Sequence, residues 1–227
     1  MTPKICVSIM PKNVEEALNL IEKAEKHRAD FIEVRLDRLC RDEKLRDITG
    51  CTEIPLIATN RPQNCGGKFS GNESERRQVL LNAARSNFEY VDIELDAEGL
   101  DSFLKELQRT SVKLIISFHD FQKTPETAAL QKVLWEEIAK GADICKIVTT
   151  AKTLMDNLTL LNFLLSSCEN AEIVCFAMGP LGKPSRLLSP IFGGFFTIAS
   201  LEAGGETAPG QMTIEELKTA YRILGVI

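Results

Sequence analysis

Lys146 is the residue whose type and position point most directly to chemistry. It lies within residues 144–148, a short apolar run that is typical of a buried strand. An unpaired ammonium group is costly to bury, so a lysine in such a run loses its proton or finds a charged partner. A lysine that loses its proton is a nucleophile toward carbonyl compounds. Three alternatives therefore stay open: an imine-forming (Schiff-base) lysine, a structural ion pair, and a side chain that snorkels out of the strand end.

His119 is the natural partner for a reactive lysine. It follows the apolar run 114–118, which places it at the end of a predicted strand. Histidine is the usual general acid or base near neutral pH. The second histidine, His27, ends the first helical pattern and is expected at the surface. Lys146 and His119 together indicate imine chemistry with proton transfer next to a carbonyl group.

Charged residues occupy one face of several predicted strands. Side chains alternate along a strand, so Glu33 shares a face with Arg35, and Asp92 shares one with Glu94. A set of this kind is typical of an active site, although strands with one solvated face are the alternative. Mg²⁺ bound by Asp92 and Glu94 is a weaker hypothesis. Because the planar fork of arginine suits carboxylates, the residues expected to bind a hydroxylated, anionic substrate are Glu33, Arg35, Arg61 and Arg186.

Short apolar runs alternate with helical patterns along the whole chain. This alternation predicts a parallel sheet of β-α-β units, and eight units predict an α/β fold, a single-domain (β/α)8 TIM barrel over residues 1–227. A doubly wound open sheet is the alternative, although no glycine-rich phosphate turn follows the first strand. The last helix is predicted to open with a capping box at 213–216 and to carry Ile214, Leu217, Tyr221 and Leu224 on one face. The predicted strands are 4–9, 31–36, 55–60, 90–95, 113–118, 144–149, 172–178 and 195–200.

The bulk composition argues against several classes of function. The net charge is −5 with both signs interspersed, so we expect no nucleic-acid partner. No run of about 18 apolar residues predicts a membrane span, and the N-terminal residues do not resemble a signal peptide. The seven cysteines have no C-x-x-C pair, which predicts reduced thiols in a cytoplasmic protein rather than disulfides or a zinc site. They are Cys6, Cys40, Cys51, Cys65, Cys145, Cys168 and Cys175.

Five motifs in register resemble the type I 3-dehydroquinate dehydratase family over essentially the whole chain. The resemblance implies a (β/α)8 barrel that dehydrates 3-dehydroquinate to 3-dehydroshikimate in the shikimate pathway of aromatic amino-acid biosynthesis. It also implies that no metal or cofactor is needed and that the protein is a homodimer. The motifs are Glu33-Val34-Arg35-Leu36-Asp37, Ser117-Phe118-His119-Asp120-Phe121, Asp143-Ile144-Cys145-Lys146-Ile147, Met178-Gly179 with Ser185-Arg186-Leu187, and Thr207-Ala208-Pro209-Gly210-Gln211.

The resemblance also implies a role for each matching residue. Lys146 would form an imine with the C3 carbonyl of the substrate. His119 would shuttle protons: it would assist imine formation and hydrolysis, remove the C2 proton and protonate the departing C1 hydroxyl. Arg186 would bind the carboxylate, while Thr207, where the family commonly has serine, and Gln211 would belong to a loop that closes over the substrate. The other matching positions are Ser8, Glu33, Arg35 and Arg61 as substrate-binding residues, and Met178 and Phe121 as apolar residues around the ring.

One position departs from the family pattern. Cys65 stands where the family generally has a glutamate that partners the histidine, so support for an imidazolium at His119 should be weaker. One interpretation is that Cys65 borders the site as a thiolate. The other is a tolerated substitution, in which Asp92, Glu94 or water supports His119. An ordinary cysteine is mostly protonated at pH 7, which favours the second interpretation.

Two rival functions remain open at this point. Glycines follow the seventh strand and flank the eighth, and loops in those places often hold phosphate in barrels. A class I aldolase acting on a phosphorylated sugar would share the imine lysine. A catalytically silent barrel that only binds a metabolite is the third hypothesis.

Overall fold

Eight parallel strands alternate with eight helices in the computed structural model, which describes residues 2–39 and 44–227. Cys40, one of the predicted thiols, lies outside the described residues. The strands are β1 (Ile5–Ile9), β2 (Phe31–Arg35), β3 (Leu56–Thr59), β4 (Tyr90–Glu94), β5 (Lys113–His119), β6 (Ile144–Thr150), β7 (Glu172–Met178) and β8 (Thr197–Ser200). The helices are α1 (Val14–Lys26), α2 (Leu45–Thr49), α3 (Glu73–Arg85), α4 (Leu100–Leu107), α5 (Thr127–Ala139), α6 (Met155–Ser167), α7 (Lys183–Leu188) and α8 (Ile214–Ile223).

The strands form one sheet that curls into a nearly closed barrel. Their order is β7-β6-β5-β4-β3-β2-β1-β8, so each strand pairs in parallel with its sequence neighbour and β1 also pairs with β8. The two ends of the sheet meet where the backbone N–H of Phe195 donates to the carbonyl oxygen of Ile173 at 2.8 Å. The predicted (β/α)8 barrel is confirmed, and the doubly wound open sheet is wrong.

Because side chains alternate along each strand, the barrel interior is apolar at the N-terminal ends of the strands and polar toward their C-terminal ends. Phe31 and Tyr90 begin their strands and meet edge to face, with ring centroids 6.1 Å apart, and Phe196 packs on Phe31 at 5.1 Å. These rings close the N-terminal end of the interior. Buried polar side chains such as Glu33 and Asp92 lie two residues further along the same strands. The fold therefore collects the charged residues toward the C-terminal ends of the strands.

The final helix follows the predicted capping pattern. The Thr213 hydroxyl accepts from the backbone N–H of Glu216 at 3.2 Å, and the Glu216 carboxylate accepts from the Thr213 N–H at 2.8 Å. Ile214, Leu217 and Tyr221 are buried as predicted. Leu224 is half exposed because it is the C-cap, one residue beyond the last helical residue. None of the helices that the structure describes is long and apolar enough to cross a membrane.

Candidate active site

Lys146 lies in the middle of the barrel interior. It belongs to β6 and faces inward with Ile144 and Val148, and it is 4% exposed. Its Nζ donates to Oδ2 of Asp92 at 2.7 Å and to Oε1 of Glu33 at 3.4 Å. The ammonium thus has charged partners, as the ion-pair alternative predicted. Pairing remains compatible with imine chemistry, because a protonated imine carries the same charge at the same nitrogen.

Asp92 is the carboxylate that links Lys146 to the rest of the interior. Its Oδ1 accepts from Nη2 of Arg61 at 2.9 Å and from the Ser117 hydroxyl at 2.7 Å. Burial alone would raise the pKa of Asp92, but Arg61 and Lys146 outweigh it and hold the pKa well below its usual range. Asp92 therefore stays ionised.

Glu33 is the second carboxylate at Lys146. Its Oε2 accepts from the Ser8 hydroxyl at 2.5 Å, and its Oε1 accepts from the Thr59 hydroxyl at 2.9 Å. Burial acts to raise the pKa of Glu33, while Lys146 and Arg35 lower it further than burial raises it. Two ionised carboxylates thus face the lysine nitrogen and would stabilise a cationic imine.

Arg61 and Arg35 are tied to carboxylates of the protein itself. Arg61 Nη1 donates to Glu94 at 2.6 Å in addition to its bond with Asp92, and Arg35 forms a two-point pair with Asp37 at 2.7 and 2.8 Å. Both arginines still line the cavity at Lys146. The carboxylates proposed as Mg²⁺ ligands thus face cations instead. Among the residues that the structure describes, no group of three or more His, Cys, Asp and Glu side chains is arranged to hold a metal ion.

His119 ends β5 and lines the same cavity as the lysine, and no carboxylate of the described residues is hydrogen-bonded to its ring. Its buried Nδ1 makes no hydrogen bond with any described residue, and the ring stacks on Phe121 at 6.0 Å. Burial first, and then Arg61 and Lys146, lower its pKa well below the ordinary value, while Asp92 acts in the opposite direction. The lowered pKa favours the neutral imidazole of His119 at pH 7. The predicted support from Asp92 reaches it through space and not through a hydrogen bond.

Cys65 borders the same cavity as His119. Burial, followed by the charges of Glu94 and Asp96, raises the pKa of its thiol. The raised pKa favours a neutral thiol at pH 7 and therefore the interpretation of a tolerated substitution. A neutral thiol at position 65 contributes no charge to His119.

Arg186 is the cation of the site with unused donors. It lies in α7 and is 1% exposed, and its Nη1 donates to the carbonyl oxygen of Ile198 at 3.2 Å. Its Nε and Nη2 have no partner among the described residues. The guanidinium lies 4.2 Å from the ring centroid of Phe176. Burial lowers the pKa of Arg186 to about 9. A carboxylate is the group that suits the two nitrogens without a partner among the described residues, because it can accept from both.

The segment after β8 folds over the cavity. The Thr207 hydroxyl donates to the Ser8 hydroxyl at 2.7 Å, and the side-chain amide of Gln211 donates to Thr207 at 3.0 Å. The Gly179 N–H donates to the Pro209 carbonyl at 3.1 Å. A side chain at Gly210 would clash with the Gly179 backbone, since its Cβ would lie 2.2 Å from the carbonyl oxygen. The glycine lets this segment dock directly on the loop after β7.

One cavity brings most of the predicted residues together. Ser8 lies behind the cavity wall and reaches it through Thr207 and Glu33. Sequence reasoning missed the apolar wall residues Val148, Phe176 and Ile198, whose inward strand positions were the available signal. A larger hollow between α2 and α3 contains neither Lys146 nor His119. The predicted residues that line the cavity are Glu33, Arg35, Arg61, His119, Phe121, Lys146, Met178, Arg186, Thr207 and Gln211, with Cys65 beside them.

Comparison with known proteins agrees with this arrangement. The sequence profile described as type I 3-dehydroquinase matches residues 5–227. The chain belongs to the type I 3-dehydroquinase family. Membership places it among hydro-lyases, enzymes that remove water from their substrates, so the hypothesis of a catalytically silent barrel is not supported.

Relatives in this dehydroquinase family cover nearly the full chain. The 3-dehydroquinate dehydratase of Methanothrix thermoacetophila is 37% identical over 224 residues, which cover 99% of this chain and 93% of the relative. The corresponding protein of Dehalococcoides mccartyi strain 195 is 38% identical over 220 residues, 97% of this chain and 95% of the relative.

Solved structures give the same result. The 3-dehydroquinate dehydratase of Geobacillus kaustophilus superposes with a TM-score of 0.90 at 28% identity, covering 98% of this chain and 91% of that one. The type I enzyme of Clostridium difficile, solved with covalently modified comenic acid, gives 0.87 at 27%, covering 98% and 92%. A barrel described as an aldolase gives 0.59 at 15% identity with 96% and 95% coverage, which shows a shared fold alone.

Proposed function

We propose that this chain dehydrates 3-dehydroquinate to 3-dehydroshikimate through an imine on Lys146, with His119 as the acid and base. The observation that carries the proposal is the cavity itself, which holds a buried lysine, a neutral histidine and an arginine with free donors. 3-Dehydroquinate presents the matching groups, a ketone at C3 and a carboxylate at C1. The proposed steps use side chains of this chain alone.

The charges around Lys146 suit each proposed step. The Lys146 ammonium gives one proton to neutral His119, and the resulting amine attacks C3. His119 returns that proton to the departing oxygen, which leaves as water, and the iminium that forms is stabilised by Asp92 and Glu33. The iminium withdraws electrons from the adjacent C2–H bond, and neutral His119 removes that proton to leave an enamine. The enamine expels the C1 hydroxyl as His119 returns the proton, so water departs and the C1–C2 double bond forms. Hydrolysis of the iminium then restores Lys146.

Chemical trapping tests this mechanism. We expect borohydride, added with 3-dehydroquinate, to give a covalent adduct on Lys146 that mass spectrometry locates, while absorbance reports the conjugated enone product. Lys146→Ala should remove the adduct. Absence of both adduct and enone formation would refute the function. An adduct that persists in Lys146→Ala would show that a different lysine forms the imine.

A carboxylate restored at position 65 should speed the reaction. We expect Cys65→Glu to raise kcat about three- to tenfold, because a negative charge beside His119 favours the imidazolium that forms during turnover. Cys65→Gln, which has nearly the same volume without the charge, is the matched control and should not raise kcat. Equal or lower kcat in Cys65→Glu than in Cys65→Gln would contradict the idea.

We also infer a homodimer and a cytoplasmic location from the same family resemblance. The cytoplasmic location also agrees with the cysteine pattern, which predicts reduced thiols. Sedimentation of the purified protein measures its oligomeric state and so tests the homodimer.

A further inference from the structure

A row of alternating charges runs from helix α3 to Lys146. Its outer member, Arg76, lies in α3, is 2% exposed and does not line the cavity. Arg76 Nη1 lies 2.7 Å from Oε2 of Glu94. The other oxygen of Glu94 accepts from Arg61 at 2.6 Å, and Arg61 donates to Asp92, the partner of Lys146. Cations and carboxylates therefore alternate without interruption from the helix to the reactive nitrogen.

We propose that Arg76 is a positioning residue that controls the charge balance of the Asp92–Lys146 pair through Glu94 and Arg61. Each inner member of the row shares its charge between two partners, so the loss of one partner strengthens the remaining contact. Without Arg76, the Glu94 carboxylate interacts with Arg61 alone and therefore more strongly. Arg61 then neutralises less of the negative charge of Asp92. Asp92 then holds the Lys146 ammonium more firmly, and the free amine needed for attack becomes scarcer.

Arg76 makes more polar and ionic contacts than are needed to hold helix α3 on the sheet. Its Nε and Nη2 bind both oxygens of Glu73 at 2.7 and 2.8 Å, and its Nη1 also donates to the Asn60 carbonyl at 3.1 Å. Apolar side chains anchor helices on a sheet without any cost of burying a charge, and buried ion pairs are weak stabilisers by comparison. A fully buried arginine whose guanidinium lies 2.7 Å from Glu94 therefore indicates an electrostatic role.

The charges that face Lys146 come from several elements. Loss of Arg76 leaves all of them in place and makes the buried row more negative by one charge. A more negative surrounding favours the ammonium form, so a higher pH is needed to free the amine. The titratable and charged groups around the lysine are Cys6 on β1, Glu33 and Arg35 on β2, Arg61 after β3, Asp92 on β4, His119 on β5 and Arg186 on α7.

The test measures how adduct formation depends on pH. This inference rests on the proposed imine at Lys146, so the wild-type protein is first treated with 3-dehydroquinate and cyanoborohydride across a pH series. We expect Arg76→Met to move the midpoint of adduct formation upward by about one pH unit. Arg77→Met is the matched control and should leave the midpoint unchanged, because Arg77 pairs with the same Glu73 at 3.3 Å but forms no ion pair with Glu94 among the described residues.

Two further variants separate an electrostatic role from a structural one. Arg76→Lys keeps the charge and should return the midpoint toward the wild-type value, although its geometry is poorer. Glu94→Gln should move the midpoint to lower pH, because Arg61 then neutralises the charge of Asp92 more fully. This variant tests the inference even if Arg76→Met does not fold. Midpoints that do not move in Glu94→Gln, or that move equally in Arg76→Met and Arg77→Met, overturn the inference. Failure of the wild-type protein to form any adduct overturns the proposed function instead.

Discussion

Replacing His119 with glutamine should lower kcat for enone formation by about 10²- to 10⁴-fold, the usual contribution of a general acid–base residue. Glutamine keeps a polar side chain of similar reach but cannot take a proton from C2 or return one to the leaving hydroxyl. His27→Gln is the matched control, since His27 pairs with Glu215 at 2.8 Å between α1 and α8, away from the cavity. It should leave kcat unchanged.

The pH profile of the wild-type enzyme should report the same residue. The neutral imidazole is the form that removes a proton, and the pKa of His119 lies well below the ordinary value. The part of the kcat profile that reports proton removal from C2 should therefore persist as pH falls below 6.5 and decline only through the lowered pKa of His119. This acid limb should be absent from the residual activity of His119→Gln. A loss of kcat smaller than about tenfold, with the acid limb intact, would assign the proton transfer to another group.

The sequence predicted the secondary-structure elements and the inward-facing strand positions better than it predicted which charged side chains pair with each other. Strand alternation placed Glu33 and Lys146 inside the barrel, and both are there. The partner of Arg61 could not be predicted, because its carboxylates lie 31 and 33 residues away and meet it only through the stagger of neighbouring strands. A charged residue on an inner face thus predicts a location and not a pair.

Arg76 shows a different limit of sequence reasoning. The first large apolar residue of α3 is Val79, whereas the helix begins at Glu73 after an Asn72 capping box. An arginine three residues into a helix is ordinary on a solvated face. The structure shows that this arginine points inward, because it is buried and lies against Glu94 on the neighbouring β4. The available signal was the Asn72–Glu75 capping pattern, which fixes where the helix starts.

Replacing Arg186 with methionine should lower kcat/KM about 10²- to 10³-fold, because loss of one partner of a buried charge pair costs about 3–4 kcal/mol. Methionine fills similar space beside Phe176 but cannot donate to a carboxylate. Arg186→Lys is the comparison variant, since it keeps the charge but loses the two-point fork, and we expect an intermediate loss. Steady-state kinetics with 3-dehydroquinate measures both. Wild-type kcat/KM in Arg186→Met would contradict the assignment of the carboxylate site.

We expect Arg186→Met to raise the thermal stability of the protein although it lowers the activity. Arg186 is a buried cation whose Nε and Nη2 have no partner among the described residues, and burial lowers its pKa to about 9. That arrangement costs folding free energy, so Arg186→Met should raise the melting temperature, by about 2–4 °C for each kcal/mol relieved. Added 3-dehydroshikimate, whose carboxylate supplies the missing partner, should stabilise the wild-type protein and not the variant. A variant that melts at a lower temperature and is still stabilised by this compound would show that Arg186 maintains the fold and that another group binds the anion.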